Sequence, residues 1–323
     1  MTPEETGSRW ALVYGAVSDR SGVSSCMRGG YSEDIWLCWS DDGRRFPGFA
    51  RSQLLLSSLA LKEFAGEGPM RRDVKTPCAD AANCSGYNIG EPTVACHDGR
   101  WLMLFDSQSC LDAQHDRQFG LMLASAPALI GPWAIVDKLD GTRLPGVPPF
   151  QFPRFFHDPV RQRLLFYYQD AHVHIRAAEL VAGRVQPVDA GRSVLTANRA
   201  NMLSPWYSAE RQAYFAVADD FGDGRYGGGL RHLYLLGPSS TPFAFDWAAR
   251  RSLLGIGDWF GGHLRSPQVV VRCYPGGREG VDVYFWGKLR GGHELGSCAW
   301  ARSVRMGRAS DVALPERVIG RRR

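Results

Sequence analysis

Ionisable residues recur at one place in this sequence. Asp106, Asp170, Asp219 and Lys288 fall at matching positions just past Phe105, Tyr168, Val217 and Trp286, and Glu91 stands immediately before Pro92. Carboxylates gathered from separate segments can do general acid–base work when their surroundings drive their proton affinities apart. The cations suggest a second chemistry. Arg154 and Arg265 lie beside Pro153 and Pro267, His263 comes two residues before Arg265, and Trp206 follows Pro205. Guanidinium forks bind carboxylate-bearing ligands bidentately. His172 and His174 alternate, as two side chains on one face of a strand would. No third ligand follows at a telling spacing, so neither a metal nor another cofactor is expected. Each residue also has a structural reading. Aspartate commonly caps turns at strand ends, Trp206 would pack between sheets, and the arginines would tie sheets together as ion pairs.

The elements that must carry these residues are short. Aromatic and β-branched runs of four to seven residues alternate with turn signals such as Asp98-Gly99, Asp140-Gly141 and Asp223-Gly224, which predicts an all-β chain. The one helical pattern is Arg51–Phe64. Four segments share one grammar, in which a proline opens a run, a polar turn follows, and an aromatic run returns. Their prolines are Pro92, Pro153, Pro205 and Pro267, at intervals of 61, 52 and 62 residues. Units of that size fit four-stranded propeller blades. Because the second strand of a hairpin runs antiparallel to the first, its end returns to the rim where the first begins. Glu91 and the three aspartates would therefore share that rim.

A fifth, incomplete unit opens the chain. Arg9–Tyr14 matches Arg100–Phe105 as a second strand, Ile35–Ser40 matches a third, and no first strand precedes them. The expected architecture is one domain spanning residues 1–323, a five-bladed β-propeller of four-stranded antiparallel blades. Val312–Ile319 would close the ring by supplying the missing strand.

The proline-headed strand, the Asp-Gly turn, the aromatic second strand and the tail Ala124-Ser125-Ala126-Pro127…Gly131-Pro132-Trp133 resemble the five-bladed propeller glycosidases. These are the arabinanase- and xylosidase-type enzymes of glycoside hydrolase family 43 and their invertase-like relatives. The resemblance implies a site over a central funnel, where carboxylates from different blades act as acid, base and auxiliary group. Glycoside cleavage needs one carboxylic acid for the leaving oxygen and a second, ionised carboxylate. Carried over residue by residue, it gives Glu91 as the leading acid/base, assisted by Asp106 or Asp170. Arg154, Arg265, His263, Trp206, His172, Asp219 and Lys288 would shape the substrate pocket. The equivalents of Glu91 in later units are Phe152, Ser204 and Ser266, so the carboxylate set is incomplete. Two further readings follow. The scaffold could serve a tailoring enzyme (cyclase, lyase or isomerase) acting on an anionic or aromatic small molecule, or a non-catalytic propeller that binds a ligand.

Composition bounds the alternatives. The 323 residues carry 38 Lys+Arg against 33 Asp+Glu, with 44% hydrophobic residues, so the chain is neither disordered nor strongly charged. Lysine occurs only at Lys62, Lys75, Lys138 and Lys288, leaving 34 arginines. No basic stripe interleaved with aromatics appears, which argues against nucleic acid, and no run of 18 apolar residues suggests a membrane span. The partner expected is a small-molecule substrate. Met1–Glu5 has no apolar signal region, so a cytoplasmic location with free thiols is expected. Cys78 and Cys84 could pair only in an oxidising compartment.

Overall fold

The computed structural model describes residues 1–2, 6–7, 9–18, 32–43, 46–47, 49–65, 86–109, 117–146, 150–181, 183–195, 200–220, 232–254, 260–274, 278–289 and 298–305. Eighteen strands are found among them, in five sheets whose strands follow chain order. The first sheet holds β1 (Trp10–Ser18), β2 (Ser32–Ser40) and β3 (Gln53–Leu56). The second holds β4 (Tyr87–His97), β5 (Arg100–Ser109), β6 (Arg117–Ala126) and β7 (Ala134–Leu139). The third holds β8 (Gln151–Asp158), β9 (Arg163–Gln169), β10 (Ile175–Val181) and β11 (Arg184–Pro187). The fourth holds β12 (Ala200–Ser208), β13 (Ala213–Asp220), β14 (Leu233–Ser239) and β15 (Arg251–Leu254). The fifth holds β16 (Phe260–Tyr274), β17 (Arg278–Leu289) and β18 (Cys298–Arg305). The pairings run antiparallel, as tight turns between successive strands require.

Two expectations are corrected. Among the described residues the sheets are not five complete four-stranded blades. Three sheets have four strands, and the first and last have three. Val312–Ile319, expected to complete the first sheet, lies outside the described residues. The helix is shorter than Arg51–Phe64. Leu54 and Leu56 pair with Trp36 and Ile35 as a sheet strand, and α1 covers only Ser58–Ala65. Asp34 on β2 explains the start of α1, because its Oδ1 accepts the Ser58 N–H at 2.7 Å and satisfies one of the orphan donors of the first turn.

The chain divides into two compact units, Met1–Phe155 and Phe156–Arg323. In the first, Ile35, Leu37, Met103, Phe105, Met122 and Trp133 form a continuous buried core between the first two sheets. Within the second, one core gathers Leu165, Tyr167, Leu203, Tyr214 and Phe245. Another gathers Trp206, Phe215, Val217, Val269 and Phe285. Each such side chain contributes about 1.5–3 kcal/mol on burial, which fixes the strands tightly enough to hold polar groups at their ends. Cys38 and Cys96 are free thiols, and Cys78 and Cys84 lie outside the described residues. No helix among the described residues is long and apolar enough to cross a membrane.

Candidate active site

The repeat positions Glu91 through a bulge. Gly90 pairs with Asp106 and Thr93 with Leu104, so Glu91 and Pro92 together oppose Phe105 alone. An extra residue of this kind bends a strand and re-aims its side chains. Glu91 is held at φ 48°, in the left-handed region, where a residue other than glycine is strained by about 1–3 kcal/mol. The same bulge recurs in the fifth sheet, where Ser266 and Pro267 oppose Phe285 and Ser266 has φ 58°. Phe152, before Pro153, has φ 54°. Ser204 departs from the pattern: it pairs regularly with Val217, and the bulge in that sheet falls earlier, between Ala200 and Leu203.

Asp106 stands directly across from Gly90, beside Glu91. It is buried at 8% exposure. Burial pushes its carboxyl well above the usual carboxylate range, and the negative charges of Glu91 and Glu33 push it further. The Phe152 N–H, which it accepts, and the Arg154 guanidinium oppose that rise without cancelling it. Arg154 itself is 5% exposed; its Nη1 donates to the Pro153 carbonyl at 2.8 Å and its Nη2 lies 3.8 Å from Glu91 Oε2. Glu91 is the more exposed partner, at 24% of its side chain against 6% for Arg154. A buried acid whose hold on its proton is strengthened thus sits next to a carboxylate that reaches solvent.

Glu33 is the site residue that the sequence reading missed. It lies on β2, and its N–H donates to Asn88 Oδ1 on β4 at 3.2 Å. Its carboxylate fills the space left by two glycines. A methyl on Gly90 would stand 2.9 Å from Glu33 Oε1, and one on Gly15 would stand 3.0 Å from it. A signal was present in the repeat. With Trp10–Tyr14 laid over Trp101–Phe105, Gly15 falls where Asp106 falls. A glycine at a rim position otherwise held by aspartate leaves room for a carboxylate from elsewhere.

The other sequence-predicted residues are placed as follows. Asp170 is fully buried; its Oδ1 accepts the N–H of His172 (2.9 Å) and of His174 (3.0 Å), and its Oδ2 accepts Arg176 Nε (2.6 Å). Asp219 is also fully buried; its Oδ1 accepts the Met202 N–H (2.7 Å) and its Oδ2 the Ser266 N–H (3.3 Å). Asp219 therefore supports a strained residue before proline in its unit much as Asp106 supports Phe152. His172 and His174 lie in the turn before β10 rather than along a strand, with their rings 6.1 Å apart. Trp206 is 3% exposed and stacks on Phe215 at 5.5 Å, within the core of its sheet. His263 and Arg265 lie on β16 and Lys288 on β17, and their side chains lie outside the described residues. Glu91, Asp106 and Arg154 are thus brought together, with Glu33 added, all within the first unit.

No protein-family model matches the chain, and no curated protein matches its sequence. Solved structures do match. An exo-β-1,3-galactanase from Clostridium thermocellum aligns with a TM-score of 0.55 at 11% identity, over 94% of this chain and 58% of that one. An exo-β-1,3-galactanase from Phanerochaete chrysosporium, bound to β-1,3-galactotriose, aligns at 0.53 and 12% identity over 94% and 59%. The likeness is one of fold. It establishes antiparallel sheets in a propeller arrangement, and this chain spans under two thirds of the length of those galactanases.

Proposed function

We propose that this protein is a glycosidase-like enzyme that cleaves a glycoside at the Glu91–Asp106 pair. The observation that carries this reading is the placement of Asp106 opposite Gly90, buried beside Glu91 and Glu33, with its carboxyl raised well above the ordinary range. Two carboxyl groups whose environments push their proton affinities apart are the requirement for acid-assisted glycoside cleavage. In this reading the pair holds one proton. Asp106 retains it in the resting state, and Glu91, the member that reaches solvent, presents it to the leaving oxygen. Arg154, beside Glu91, limits the charge the cluster must carry. The fold shared with exo-β-1,3-galactanases makes a glycoside the first substrate class to test.

The tailoring alternative, with an anionic ligand, draws less support. It needs an arginine open to the ligand, whereas Arg154 is 5% exposed and occupied by the Pro153 carbonyl and Glu91. Asp170, with its oxygens occupied in its own turn, is proposed as a structural residue. A panel of chromogenic aryl glycosides, including β-galactosides and α-arabinosides, tests the assignment against the Glu91→Gln protein. Turnover is expected to fall about 100-fold or more in that variant. Activity that survives the substitution overturns Glu91 as the acid.

A further inference from the structure

We propose that Glu33 is the second reacting carboxylate of this site, the group that takes the proton of the attacking water. The inference rests on the glycosidase reading and supplies what that reading leaves open, an ionised partner for the proton-holding pair. Three features of the geometry converge on Glu33.

The first is vacancy. In the repeat, the rim position occupied by Asp106 in the second sheet is occupied by Gly15 in the first, and the Glu33 carboxylate reaches into that space from the neighbouring strand. The second is fixation. The Glu33 N–H is held by Asn88 Oδ1, two residues before Gly90, so the base of the side chain is tied to the same strand that bears Glu91. The third is room. Gly90 has no side chain, and the Glu33 carboxylate lies where one would be, so Glu33, Glu91 and Asp106 surround a single residue of β4.

The step balances without a further reactant. The water oxygen bonds the anomeric carbon while its proton passes to Glu33. The glycosidic carbon–oxygen bond breaks, its electron pair stays on the leaving oxygen, and that oxygen takes the proton held by the Glu91–Asp106 pair. Exchange with solvent then moves the proton from Glu33 and restores the one on the pair. Among the described residues, groups that face the pair include Glu33, the Arg154 guanidinium and the Phe152 N–H, so removing Glu33 removes a negative neighbour of Asp106.

Two variants of the full chain test this, on the best aryl glycoside of the panel. Glu33→Gln is expected to lower kcat about 100-fold with KM within about threefold, and to abolish the acidic limb of the pH profile, which reports ionisation of the base. Gly90→Ala keeps Glu33 but places a methyl 2.9 Å from its Oε1, the end of a flexible chain, so the carboxylate moves while the backbone stays. It is expected to lose kcat in the same direction with an unchanged melting temperature. Glu33→Gln activity within about threefold of the parent overturns the proposal, and if Glu91→Gln is inactive in the same assay the glycosidase reading survives that failure. If the parent cleaves no glycoside, the reading has failed. The place of Glu33 in the site is then decided by carbon-13 titration of the Asp106 carboxyl. A midpoint that moves down in Glu33→Gln supports it, and an unchanged midpoint overturns it.

Discussion

Replacing Asp106 by asparagine will make the fold more stable at neutral pH and, under the proposed glycosidase reading, turnover about 10²–10⁴-fold slower. Both effects have one cause. Asp106 is 8% exposed, and burial together with the charges of Glu91 and Glu33 raises its carboxyl well above the ordinary range. The folded state therefore binds a proton that the unfolded chain has released by about pH 4. Stability is fully present below that unfolded value and declines as pH rises toward the folded one. Asparagine cannot ionise, so the decline disappears, while its carbonyl can still accept the Phe152 N–H. The gain should be about 1–2 kcal/mol at pH 7 and vanish near pH 4. Urea denaturation at the two pH values, alongside turnover of the best glycoside, measures it. A variant that is destabilised at pH 7 would mean that Asp106 works as an ionised support for Phe152, and the acid assignment would fall.

That expected opposition between stability and turnover would separate Asp106 from the aspartates that occupy matching places in the repeat. In sequence, Asp106, Asp170 and Asp219 look alike, each just past an apolar run. Period and turn chemistry were enough to find the strands and the hairpins, because alternation and Asp-Gly signals are local. They could not distinguish the three carboxyls, because what differs is the partner brought by another sheet. Asp219 meets two backbone N–H groups, and Asp106 meets two other carboxylates and one guanidinium. The same limit hid Glu33. Nothing in the run Ser32–Ser40 marks residue 33 as a site residue, and its role emerges only when Gly15 and Gly90 are seen on either side of it. Arg154 was found from its proline, yet its duty changed. The sequence suggested a ligand-binding cation, and the fold gives it the Pro153 carbonyl and Glu91. At the first and last sheets the expected complete blades are not reached among the described residues, since strand number depends on pairing between distant segments rather than on local pattern.

Asp170→Asn should do the reverse of Asp106→Asn, destabilising the protein by about 3–5 kcal/mol at pH 7. Burial by itself would raise the Asp170 carboxyl. The His174 N–H, the Arg176 hydrogen bond and charge, and the His172 N–H outweigh it, and hold the group below the ordinary range. The neutral amide keeps one acceptor but turns a donor toward Arg176 or toward the two N–H groups, leaving the guanidinium without its counter-charge. The sign of the pH dependence follows from the lowered value. The stabilisation is present above the unfolded pKa of about 3.9 and is lost as pH falls through the folded value. The difference between parent and variant should therefore be widest at pH 7 and should shrink below pH ~4, where the parent itself becomes protonated. Turnover per folded molecule should change little, because the oxygens of Asp170 are spent inside one turn. A variant of unchanged stability whose turnover collapses would instead place Asp170 among the reacting groups, and the division of labour between the three aspartates would have to be redrawn around it.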